Sequence, residues 1–321
     1  MVSRLLVVAA LPLVLSCSRG EDTHGSEVTQ ESLPRSEEVV SLLGVRLVPV
    51  ALPGEVRDSY ETQLARARQE LDEDPESLDA IIWVGRRLAY LGRYREAIDA
   101  FTAGLERYPR EPRLYRHRGH RFITTRQLEA AIADFDIAAS LVSGTEDRIE
   151  ADGLPNARGI PTSTLHSNIW YHLGLAHYLR GDFQQALEAY EECLQVSGNP
   201  DMLVATSHWL YMTLRRLGRE ADALEILAPI SPEMDIIENQ EYHQLLLLYR
   251  GEVPLESLVS TSNDSGSAAL QYGIGNWHLC NGRQEKAEEV FAAILREDQW
   301  AAFGYLAAEA EIARPAAKTS R

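Results

Sequence analysis

The chain has 321 residues, 45% of them hydrophobic, and a net charge of −17 from 31 basic and 48 acidic side chains. That apolar content can fill a sizeable core, and the acidic excess favours solubility and excludes non-specific nucleic-acid binding, which needs a basic footprint. Three cysteines, odd in number and far apart, exclude a disulfide framework.

Residues 1–16 place Arg4 before the apolar run Leu5 to Leu15 and end on the small Ser16, the layout of a secretory signal too short to stay as a membrane span. Val14, Leu15, Ser16 and Cys17 resemble the bacterial lipobox. The resemblance implies cleavage before Cys17, acylation of its thiol and new amino terminus (palmitate among the chains), and lipid anchoring in the cell envelope. Ser18, not an acidic residue, follows the cysteine, which points to the outer membrane. An ordinary signal peptide or an uncleaved anchor is the alternative.

Residues 17–38 are polar, mixed in charge and without helical period, and predict a disordered tether. Residues 39–77 predict an N-terminal cap. Its first part, Val39 to Pro53, is apolar but broken by Gly44, Pro49 and Pro53, so it is expected to lie extended against the first helices. The second, Glu55 to Asp72, is helical.

From residue 78 a unit repeats. Val84, Gly85, Leu88, Gly92, Tyr94, Ala97 and Phe101 in one stretch answer to Gly119, Phe122, Ala131 and Phe135 in the next; Gly85 to Gly119 and Ala97 to Ala131 are both 34 residues. Trp170, Leu173, Gly174, His177, Gly181, Phe183, Ala186 and Tyr190 repeat the pattern most fully. Two helices folded on each other at this spacing cannot bury their stripe alone, so neighbours must stack. These residues resemble tetratricopeptide repeats over 78–313. The resemblance implies an all-α fold, a right-handed superhelical solenoid of antiparallel helix pairs. A fourth unit follows at 201–230 with Tyr211 where a small residue is expected. A degenerate fifth lies at 238–260 and a restored one at 268–297. Trp300 to Ala313 closes the array, and 314–321 reads as a disordered tail. Residues 152–183 also resemble a stretch of bacterial repeat proteins without assigned activity, which carries no function over.

Turn residues are spaced by 31 to 37 except between Arg126 and Gly181, which are 55 apart. The excess is an inserted loop at 144–166. Leu154, Pro155, Ile160, Pro161 and Leu165 give it material to pack, so an ordered flap is expected.

In the resembled family the first helix of each pair lines the concave face. Here the first helices of the four units from 78 to 216 carry nine arginines against Asp79 and Asp201, interleaved with His117, His120, His172, His177, His208 and aromatic residues. Guanidinium forks grip carboxylates bidentately and aromatic faces cover the rest. The set predicts a basic, aromatic groove for an acidic or carboxylate-ended peptide or protein partner, with Arg86, Arg116, His120, Arg121, Asn168, Tyr171 and His208 as candidate contacts. A solvated helix face with core aromatics is the bland alternative. His117 and His120 have ligand spacing but no matching acid or cysteine, so no metal is assigned, and no cofactor. No His-Glu-x-x-His, nucleophile elbow or phosphate loop is present, so no catalytic residue is assigned. The rivals to an interaction scaffold are a small-ligand or metal receptor using the His and Arg cluster, and a hydrolase built from Asp152 and Asn156 of the loop facing His120 and His166.

Overall fold

A computed structural model describes residues 39–261 and 267–314; the signal segment, Cys17, the tether and residues 315–321 lie outside the described residues. After a short hairpin, β1 (Val39–Val40) and β2 (Arg46–Leu47), the described chain is helical. A lone helix, α1 (Gly54–Glu73), precedes six pairs. These are α2 (Leu78–Tyr90) with α3 (Tyr94–Arg107), α4 (Pro112–Thr124) with α5 (Leu128–Val142), and α6 (Leu165–Arg180) with α7 (Phe183–Gln195). Then come α8 (Pro200–Arg216) with α9 (Glu220–Ile226), α10 (Gln240–Tyr249) with α11 (Leu255–Thr261), and α12 (Ala268–Cys280) with α13 (Gln284–Ile294), and the single α14 (Phe303–Ala313). The fold is an all-α solenoid.

One contact recurs and explains the repeat. Gly85, Gly119, Gly174 and Gly275 on first helices face Phe101, Phe135, Tyr190 and Phe291 on second helices, where an added Cβ would lie 2.3–2.9 Å from the ring. A small residue there lets the ring bury completely between the helices. In the fourth pair α9 has only seven residues and offers no aromatic ring. Tyr211 stands at the small-residue position and stacks on Tyr249 of α10, with centroids 4.3 Å apart. Side chains also set the starts: Ser77 caps α2, Asn199 caps α8 ahead of Pro200, and Thr164 with Ser167 forms a capping box on α6.

The inner face of the later repeats is closed. Helix α14 packs on α12, α13 and back onto α6, and α12 reaches α8. The Tyr178 and Tyr272 hydroxyls are 2.8 Å apart, Asn276 donates to Tyr178 at 2.9 Å, and Trp209 stacks on Tyr272. Arg216 pairs with Glu311 at 2.5 Å, and Arg215 donates to the Cys280 carbonyl. These two arginines therefore hold the closure, and the basic groove expected along the first helices from 78 to 216 stops at α6. The α12–α14 approach depends on Gly304, where a Cβ would sit 1.9 Å from the Ala268 carbonyl oxygen. Gly304→Ala is expected to cost roughly 1–3 kcal/mol by forcing the backbones apart, read as a lower urea midpoint; an unchanged midpoint would show that α14 docks differently.

The hairpin reaches further than an end cap would. Val39 and Leu47 are buried in the same core as Trp300 and the α14 alanines, Leu42 N donates to Glu309 Oε1, and Trp300 Nε1 donates to the Val48 carbonyl. Pro49 meanwhile sits against Gly92 at the α2–α3 turn. Arg126 locks the same junction. It is the one non-glycine residue at positive φ (63°) among the described residues, in the α4–α5 turn where other pairs have glycine. Its buried guanidinium binds Glu309 at 2.7 Å and the carbonyls of Thr124 and Trp300. Arg314 belongs to this body rather than to a tail, since it donates to the Tyr178 and Leu179 carbonyls at the end of α6. Cys193 and Cys280 are both free, and burial raises their thiols to about 12 and about 11.

Candidate functional site

The inserted segment 144–166 is tied down at both sides. Ile149 pairs with Thr164, Arg86 and Arg87 donate to the carbonyls of Ala151 and Gly153, and Arg158 pairs with Asp235 at 2.8 Å. Asn156 and Thr162 reach Glu238. The receiving loop is itself held by Asp201, a buried carboxylate accepting the backbone N–H groups of Ile237, Glu238 and Asn239. Polar contacts rather than apolar packing order the flap: Leu154 and Ile160 are exposed, and of the expected apolar set Leu165 is buried, at the start of α6.

Beside the flap, α2, α4, α6 and the start of α14 line a pocket of about 280 Å³ whose walls include Arg86, Tyr90, Arg116, His120, Arg121 and Phe303. Asn168 and His172 complete it from α6. The helical period explains the convergence: Arg86 and Tyr90 are four apart on α2, and Arg116 and His120 four apart on α4, so each pair shares a face. The flap sets one carboxylate against the back of this wall. Glu150 lies 3.1 Å from Arg116 and 3.1 Å from His117, and Asn168 donates to it at 2.5 Å. Burial pushes this carboxyl up, but Arg116 and then His117 outweigh that and hold it well below the usual carboxylate range.

The remaining charge is not balanced. The Arg121 guanidinium makes no hydrogen bond or ion pair to any described residue; it lies 5.6 Å over the Tyr94 ring, and burial lowers it to about 10, so it stays cationic at neutral pH. Arg86 donates to a carbonyl and contacts the Tyr90 hydroxyl but has no acid either. The histidines add no charge at pH 7. Burial, then Arg116, lowers His117 and His172 to about 3, and burial with Arg121 and His172 lowers His120 well below its ordinary value. Three arginines thus face one carboxylate, with His120 and His172 rings 4.4 Å apart beside them. An anion's oxygens would supply the acceptors that the Arg121 guanidinium lacks.

Five of the seven residues expected in a groove meet here: Arg86, Arg116, His120, Arg121 and Asn168. Two do not. Tyr171 is buried against Tyr190 and His172, and His208 is fully buried, stacked on Tyr242 at 4.4 Å, because the later first helices pack on each other. Glu150, His172 and Phe303 were not among the expected contacts. Glu150 sits outside any helix, and nothing local says that α14 returns to α6. The hydrolase arrangement does not form: Asp152 accepts from Leu154 N, Asn156 turns to Ile160 and Glu238, and neither lines the pocket holding His120. Among the described residues no three His, Cys, Asp or Glu side chains are grouped to hold a metal ion.

The tetratricopeptide-repeat pattern matches residues 85–144 and again 167–200. The chain carries tetratricopeptide repeats. They frame this pocket, since the matched segments supply the end of α2, all of α3, α4 and α5, and most of α6 with α7. No curated protein matches the sequence. Among solved structures, Pseudomonas aeruginosa PilF is 14% identical over 75% of this chain and 91% of its own, with a TM-score of 0.43. YrrB, described as a TPR protein with an unusual peptide-binding site, is 16% identical over 73% and 95%, TM-score 0.40. A thermophilic TPR protein of Thermus thermophilus, TTC0263, is 18% identical over 60% and 92%, TM-score 0.41. Tetratricopeptide repeats are protein-interaction units, and the repeat content assigns this chain to that broad class.

Proposed function

We propose that the chain is a non-enzymatic interaction scaffold of a bacterial cell envelope, anchored through Cys17 in the outer membrane. In this reading it binds a protein partner by a carboxylate, a chain end or an acidic side chain, held in the pocket of Arg86, Arg116, His120 and Arg121. The observation that carries the binding reading is the half-buried guanidinium of Arg121, without an acid or hydrogen-bond partner among the described residues, on the pocket wall. The anchor reading is supported by the lipobox-like run before Cys17. A pocket of about 280 Å³, near the small end of the roughly 300–1,000 Å³ typical of ligand sites, suits one or two side chains of a partner rather than an extended peptide. The same size favours, as a second reading, a free small carboxylate.

The test is a pull-down from envelope extract with the chain and its Arg121→Gln variant, followed by peptides of the captured partner with free and amidated carboxyl groups. A charge-assisted contact of about 1.5–3 kcal/mol predicts binding roughly 10- to 100-fold weaker for Arg121→Gln. Equal capture by both chains, or equal affinity for free and blocked carboxylates, would reject the pocket as the site. Binding of acetate or succinate alone by calorimetry, with no protein captured, would favour the second reading.

A further inference from the structure

The segment from Val39 to Pro53 (VVSLLGVRLVPVALP) contains no acidic residue and one basic one, Arg46, in a chain carrying 48 acids. Its strands pair Val39 with Leu47 and Val40 with Arg46. Directly opposed residues of an antiparallel pair point to the same face. One face, Val39 and Leu47, is buried in the core; the other, Val40 and Arg46, is exposed. Beyond it Leu42, Leu43, Val45, Val48 and Val50 are also exposed. These six apolar residues, 39–62% exposed, make up six of the thirteen exposed large apolar side chains among the described residues. The hairpin tip is held rigidly, since Ser41 N donates to the Val45 carbonyl, Ser41 Oγ accepts from Leu43 N and Val45 N, and Leu42 N is fixed to Glu309. A fixed apolar surface of this kind marks an interaction site.

We infer that this hairpin is a second membrane contact, with Leu42 and Leu43 entering the interfacial region of a lipid bilayer. The inference rests on the anchor reading above for its geometry. Twenty-two residues lead from Cys17 to Val39, a path of at most about 75 Å however it is arranged, and the hairpin is the first element among the described residues. Absence of acids removes the repulsion that the rest of the surface would meet at anionic headgroups, and Arg46 adds an attraction. Apolar side chains beside a single cation are what an interfacial contact uses. A lipid chain and a rigid apolar tip together would fix orientation, which a single point of attachment cannot.

The test uses the chain from Ser18 onward, which retains every described residue and lacks both the apolar leader and the thiol, so that binding does not depend on acylation. Co-sedimentation with phosphatidylcholine vesicles, with and without phosphatidylglycerol, is expected to retain it and to retain Leu42→Asp/Leu43→Asp about tenfold less. Equal circular dichroism and melting of the two chains exclude misfolding. In a Leu43→Trp chain, vesicles are expected to shift the indole emission to the blue. Absence of sedimentation and of any emission shift overturns the inference. So does a dimer in light scattering that the double Asp variant dissolves, which would mean that a second copy covers the face. The anchor reading fails separately, if Cys17→Ala leaves fatty-acid labelling of the full chain in cells unchanged.

Discussion

Lowering the pH from 7 to 5 is expected to remove about 6 kcal/mol of folding stability, about 2 kcal/mol for each of three buried histidines. His117, His172 and His208 are all held down to about 3 from an ordinary 6.5, with burial the largest cause in each. A histidine with a lowered folded-state pKa stays neutral in the native chain while the unfolded chain takes up a proton. Its stabilising contribution is therefore complete above about pH 6.5 and falls as pH drops below that, until the folded ring itself protonates near 3. Glu150, lowered by Arg116 and His117 against its burial, acts in the same direction at lower pH, below the ordinary carboxylate range. Since domains are typically stable by only about 5–15 kcal/mol, a loss of this size would remove a large share of the total. Urea midpoints at pH 7.5, 6 and 5 test this; a flat profile would show that water or local opening reaches the rings. His208 isolates one share. Neither of its nitrogens has a hydrogen-bond partner, and it stacks between Tyr242 and Tyr249. His208→Phe should raise stability at pH 7 by about 1–2 kcal/mol, by removing the unmet polar atoms, and should flatten the acid limb by about a third.

Glu309→Ala is expected to cost about 3–5 kcal/mol, because it leaves the Arg126 guanidinium charged and buried without its partner. Glu309 is 0% exposed and accepts from Arg126 twice, and it also accepts from Leu42 N. One carboxylate thus joins the α4–α5 turn, the hairpin and α14. Arg126→Gly should cost less, since glycine relieves the positive φ while Glu309 keeps the Leu42 amide. Guanidinium unfolding of the two variants beside the parent checks the order. A loss below about 1 kcal/mol for Glu309→Ala would mean that the pair is solvated like a surface one. Because α14 also places Phe303 in the pocket wall, the variant should also weaken any binding at the proposed site.

Much of the architecture could be read from periodicity, because each helix pair repeats a local steric solution. Gly85 and Phe101 meet for the same reason as Gly174 and Tyr190, and the 34-residue spacing records it. The basic cluster was readable for the same reason: Arg116, His120 and Arg121 share one short helix, and its neighbours in the stack are the adjacent pairs. Arg126 was a visible anomaly, an arginine where the other turns carry glycine, but its partner lies 183 residues away and nothing local names it. His208 and Tyr171 looked like groove residues because their helices occupy the inner position. Whether an inner helix faces solvent or another inner helix depends on how tightly the array curls.

The sequence by itself determined the helix pairs, their turns, the glycine–aromatic contacts and the insertion, since all of these follow from interactions within a helix or between neighbours in the chain. Only the tertiary structure decided that α14 returns to α6, that the hairpin and Glu309 lock that return, and that Glu150 from the flap pairs with Arg116 while Arg86 and Arg121 have no acid among the described residues. Small rotations between successive pairs add up along the solenoid, and no single repeat encodes their sum.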